Sequence, residues 1–148
     1  MTASRATTPA ERPPVPSWYR FVIDVPGLFT CSEDNAHESH WKKAARSKEQ
    51  KRVVLLALDA RSVRCPFPLP IRVTLTRLSF GTLDEFDNLP GSLKHVADAV
   101  AWWARGKVGK IGQADRDARA IRFVARQEKC PKGQRGVRIQ VEGVTDGE

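Results

Sequence analysis

Little in this 148-residue chain is cysteine, and nothing in it is a long apolar run. Its three cysteines, Cys31, Cys65 and Cys130, are few, odd in number and far apart. A disulfide framework is therefore not expected, and a reducing compartment suits the composition. No stretch approaches the roughly 20 consecutive apolar residues of a membrane span. The first residues lack the apolar core of a secretory signal. These absences predict a protein of the cytoplasm without a membrane anchor. There is no internal repeat, and the glycines between Arg105 and Gln113 lack the spacing of a nucleotide-binding P-loop, so no nucleotide cofactor is expected.

Acidic residues are also in deficit. Lys and Arg number 25 against 17 Asp and Glu, a formal net charge of +8. That balance points to a polyanionic partner, nucleic acid before membrane. Hydrophobic residues make up 41%, enough for one folded domain of this length.

Residues 1–17, rich in Thr, Ala, Pro and Arg, predict a tail. Residues 18–143 predict a single domain, and 144–148 a second short tail. Tyr19, Phe21, Ile23 and Val25 alternate with Arg20, Val22 and Asp24, which predicts a strand with one buried face. Pro26-Gly27 ends it. Cys31, His37 and His40 follow, but a zinc site would need a fourth ligand, and the spacing fits no finger.

Residues 38–60 predict a long helix. Trp41, Ala44, Ala45, Leu55 and Leu56 form a partial apolar stripe, while Lys42, Lys43, Arg46, Lys48, Lys51 and Arg52 make a basic surface able to meet phosphates. After a proline-dense connector, Ile71, Val73 and Leu75 predict a second strand. Leu78 and Phe80 fall on the other parity, which predicts a bulge or a change of burial near Thr76 or Arg77. Pro90, or Ser92 as an N-cap, starts a second helix with Leu93, Val96, Ala97, Val100 and Trp103 or Ala104 inward. Lys94 and Asp98 are spaced to pair. Lys107 and Lys110 sit in the glycine-bearing loop as candidate DNA contacts. Ile121, Phe123 and Ala125, then Val137, Ile139 and Val141, predict a hairpin. The expected architecture is α+β, a small mixed sheet with two helices on one face, in the order β-α-β-α-β-β.

The chemistry concentrates at Asp84, Glu85 and Asp87. In extended chain, residues two apart share a face, so Glu85 and Asp87 lie together. Neighbouring carboxylates repel unless a cation neutralises them. Magnesium takes a few carboxylates and leaves sites for water and phosphate. Asp115 or Asp117 would supply the third acid. Such an ion polarises a phosphodiester, and Lys94 would offset the charge that develops on it.

At these residues the chain resembles the RusA family of Holliday junction endodeoxyribonucleases of phages and prophages. The similarity lies in Glu85-Phe86-Asp87-Asn88-Leu89, then Lys94 with Asp98-Ala99-Val100, then Asp115-Arg116-Asp117, within a stretch from Ile71 to Val141. It implies a homodimer that cuts four-way DNA junctions symmetrically in recombination and repair. It also implies magnesium (or manganese) held by Glu85, Asp87 and Asp117, with Asp84 and Asp115 as alternates, and an essential Lys94. The chain departs from the family in having Glu85 where Asp is usual, and in the added length of Pro90-Gly91-Ser92 before the lysine. Two other readings share this scaffold: a junction-binding protein without catalysis, and a nuclease for other branched DNA or RNA.

Overall fold

The computed structural model describes residues 20–31, 39–81, 88–112 and 120–144. Strand β1, Phe21–Pro26, buries Phe21, Ile23 and Val25 and exposes the residues between, as its alternation predicts. Helix α1 runs His40–Arg61. Ser39 caps it, its Oγ accepting from the Lys42 backbone N–H at 3.2 Å. Strand β2 is Ile71–Ser79, followed by a short helix α2, Asn88–Ser92, and helix α3, Lys94–Ala104. Strands β3, Ile121–Lys129, and β4, Gly136–Gly143, complete the order. The fold is α+β: among the described residues, a four-stranded mixed sheet accompanied by three helices.

The expected helix start at Pro90 or Ser92 is replaced by two helices. Pro90 lies inside α2, and Ser92 does not cap α3. Its hydroxyl donates to the Leu89 carbonyl at 2.7 Å and is fully buried. Leu93 stands at the N-cap of α3 without any side-chain cap bond.

The hairpin expected between β3 and β4 does not form. The sheet order is β1-β4-β2-β3, with β4 antiparallel to both neighbours and β2 parallel to β3. Burial explains the choice. Val137, Ile139 and Val141 on β4 are wholly covered and take the interior place between β1 and β2. Strand β3 exposes Arg122, Arg126, Glu128 and Lys129, a charged surface suited to a sheet edge. The link from Cys130 to Arg135 is long enough to step over one strand, since neighbours lie only about 4.8 Å apart.

Nor is there a bulge in β2, whose register with β3 and β4 is unbroken from Ile71 to Leu78. A change of burial occurs instead. Arg77 occupies the core-face position that follows Ile71, Val73 and Leu75, with 9% of its surface exposed. Its guanidinium donates to Thr30 Oγ1 and to the Gly81 carbonyl, each at 3.1 Å. Burial pushes its pKa below the usual arginine value, and Cys31 and Cys130 nearby oppose that shift.

The apolar stripe of α1 also differs from expectation. Val54 and Leu58 are buried, joined by Gln50, which donates to the Phe29 carbonyl at 2.8 Å. Trp41 and Leu56 face solvent. The helix is thus anchored by its C-terminal half, and its basic N-terminal half stands beyond the core. Leu93 at the N-cap of α3, and Val96, Val100 and Trp103 along it, are buried as their spacing predicts, while Ala97 is only half-buried.

One close approach sets a limit on sequence. A Cβ on Gly136 would lie 2.6 Å from the Val25 carbonyl oxygen and 3.2 Å from Pro26 Cα. Both are backbone, so β1 would have to move. Gly136→Ala is expected to cost about 1–3 kcal/mol, the range for forced overpacking, and to lower the midpoint of thermal unfolding by several degrees.

Candidate functional site

Helix α1 packs on β1 and on α3, and the short α2 reaches β3. Small residues on these elements, Ala44, Gly91, Ala97 and Ala125, leave a cleft of about 770 Å³. Leu75 and Phe123 form its apolar floor. His40, Lys43 and Ser47 line one wall, at the spacing that places residues on one face of α1. Lys94, His95 and Asp98 line the other, on the first turns of α3. The buried stripe of α3 fixes how these three are presented.

Ser47 Oγ and His95 Nδ1 are 3.1 Å apart, a hydrogen bond that ties the two walls together across the cleft. Asp98 is buried, with 6% exposed. It also borders a smaller cavity shared with Arg105 and Lys110. The expected Lys94–Asp98 pair does not form: Lys94 is exposed, and no ion pair among the described residues joins them. Lys43 and Lys94 bring two cations to the cleft lining, alongside His40, His95 and the carboxyl of Asp98.

The basic candidates fall into different settings. Lys42 is exposed, Lys43 half-buried at the cleft, and Arg46 half-buried on α1. Lys107 is already engaged within the chain. Its ammonium lies 2.9 Å from the Asp59 carboxylate of α1, and its backbone N–H donates to the Trp102 carbonyl at 2.8 Å. Trp102 Nε1 in turn donates to the Gly109 carbonyl at 2.9 Å. The glycine-bearing segment is therefore fastened to both helices at its start, and Lys110 beyond it is exposed.

Asp84, Glu85 and Asp87 fall in 82–87, and Asp115 and Asp117 in 113–119, outside the described residues. His37, the middle member of the cysteine–histidine trio, is outside them too; Cys31 lies near Arg77 and His40 on the cleft wall. Among the described residues, no three His, Cys, Asp or Glu side chains stand together in a way that could hold a metal ion. The described lining offers cations that fit a phosphate, and the fit of a metal turns on the acids that precede α2 and β3 in the chain.

Sequence reasoning did not anticipate His40, Ser47 or His95 as cleft residues. The i, i+3, i+4, i+7 positions of His40, Lys43, Ala44 and Ser47 carried the signal, but a polar helix face ordinarily reads as a solvated one. No protein-family profile, curated protein or solved structure matches the chain. No helix among the described residues is long and apolar enough to cross a membrane.

Proposed function

We propose that the chain is a magnesium-dependent, structure-selective endodeoxyribonuclease of the RusA type, acting on four-way DNA junctions. One observation carries most of the weight. Lys94 lines a cleft whose adjoining helix α2 begins at Asn88, the residue directly after Asp87, and Lys43 of the basic helix stands on the facing wall. A phosphate at the mouth of that cleft meets cations from both sides. Lys94 offsets negative charge on the reacting phosphoryl group, and Lys42 and Lys43 hold the strand by its backbone. When bound by Glu85 or Asp84, Asp87 and Asp117 or Asp115, magnesium supplies Lewis-acid polarisation of the phosphodiester and a more acidic water. Two such sites related by a two-fold axis in a homodimer match the symmetry of a junction and its paired cuts.

A second reading is favoured by the cationic lining itself, which grips polyanions whether or not it cuts them. It is a junction-binding protein without catalysis. A labelled four-way junction incubated with and without magnesium separates the two. Symmetric paired nicks that require the ion are expected. Tight, salt-sensitive binding with no nicks, unchanged by magnesium beyond its ionic strength, would favour the second reading.

A further inference from the structure

We propose that Trp41 is a stacking platform for an unpaired base of a nucleic-acid strand, with Lys42 and Lys43 beside it taking the flanking phosphates. The inference rests on the nucleic-acid part of the proposed function and is independent of the cleavage chemistry. Trp41 is 81% exposed, the most exposed of the large hydrophobic side chains described. The contrast with its neighbours in kind is sharp. Trp103 is fully buried and Trp102 half-buried, and each donates its indole N–H to a carbonyl. Among the described residues, the ring contact of Trp41 is with His40, edge-on, with centroids 6.0 Å apart. His40 lines the cleft. The open indole therefore stands at the cleft rim, one residue from the wall that carries Lys43.

Charge decides what covers it. From His40 to Arg52 the helix carries Lys42, Lys43, Arg46, Lys48, Lys51 and Arg52 against a single acid, Glu49. Glu49 is itself engaged by Arg52, at 2.6 Å. A second copy docking here about a two-fold axis would set this basic surface against its own image. A lipid surface needs a continuous apolar stripe. On α1 the large exposed apolar residues are Trp41 and Leu56, separated by four turns of helix. A single-stranded or unstacked nucleotide satisfies both features, because its phosphates meet the lysines and its base has an apolar face for the indole. Stacking of one base on an aromatic ring is worth about ten- to a hundredfold in affinity.

The test uses the full chain in EDTA, so that cutting cannot intervene. A sixteen-residue oligothymidylate, a four-way junction and a blunt duplex are titrated against wild type, Trp41→Ala and Trp41→Phe, with tryptophan fluorescence and Kd as readouts. Oligothymidylate is expected to quench wild-type fluorescence, and Trp41→Ala to lose most of that quenching. Its Kd for the oligonucleotide should rise about tenfold, Trp41→Phe should restore most of the affinity, and the slope of log Kd against log salt should not change, since no cation is removed. Equal affinity of wild type and Trp41→Ala for the oligonucleotide would overturn the proposal. So would an equal loss on the blunt duplex, a shift in sedimentation that marks Trp41 as a subunit contact, or a fluorescence blue shift with phosphatidylserine vesicles but not with oligonucleotide. Magnesium-dependent cutting by a Trp41→Ala variant of unchanged affinity removes the stacking role alone. Trp41-dependent binding without any cutting removes the nuclease reading alone.

Discussion

Asp87→Asn is expected to leave a four-way junction bound and uncut. The substitution keeps the size and shape of the side chain and removes its negative charge. Under the nuclease reading, rate should fall about a thousandfold or more, which corresponds to about 4 kcal/mol of lost transition-state stabilisation. Binding should hold or tighten slightly, because the cations on α1 are untouched and one repulsive charge is gone. Lys94→Ala should behave differently. It removes the lysine proposed to meet the phosphate, and under the same reading a loss of about a hundred- to a thousandfold in rate is expected, with modest weakening of affinity. The two variants are best compared in single-turnover cleavage alongside gel-shift titration. Persistent cutting by Asp87→Asn would remove that residue from the mechanism. Parallel loss of binding and cutting in Lys94→Ala would make the lysine a docking residue.

Trp103→Ala should give the largest loss of stability. Trp103 is fully buried, packs on Phe21 of β1 with centroids 5.3 Å apart, and donates its indole N–H to the Ser62 carbonyl at 3.0 Å. One side chain thereby links α3 to the sheet and to the end of α1. Truncation of a buried aromatic costs about 3–5 kcal/mol, a large part of the 5–15 kcal/mol that holds a typical domain folded. A lower urea midpoint with an unchanged slope is the expected signature. Trp103→Phe keeps most of the packing and drops the N–H, so about 1 kcal/mol of its loss reports the hydrogen bond, with more if the Ser62 carbonyl stays dry. A shift of less than 1 kcal/mol for the alanine variant would mean that α3 is held by its other buried residues.

Legibility followed the length scale of the forces. The alternation in β1 and the spacing on α3 are local patterns, and both emerged as read. The pairing of β4 with β1 and β2 is a contest among distant strands, and chain proximity to β3 suggested the wrong partner. Arg77 broke parity in β2 because a cation took a core-face position, which is affordable only with Thr30 and Gly81 to receive its donors. That arrangement has no local signature. On α1, the aliphatic residues suggested a stripe through Trp41, yet the surface that needed covering selected Gln50, Val54 and Leu58. Of the candidate site, Lys94 and Lys43 could be read from the chain and stand on facing walls of one cleft. The histidines and Ser47 could not, since only the crossing of two helices gives them a shared space.

The placement of β4 has a consequence for biosynthesis. Of the four described strands, the last in chain order is the one that joins β1 to β2. Until residues 136–143 emerge, β1 has no hydrogen-bonding neighbour, and the apolar row Phe21, Ile23 and Val25 lacks its mate. Strands β2 and β3 can pair before then, whereas β1 joins the sheet through β4. From the emergence of β2 until residues 136–143 follow, the nascent protein carries an unfilled slot between β1 and β2, a slot that any extended apolar peptide could enter.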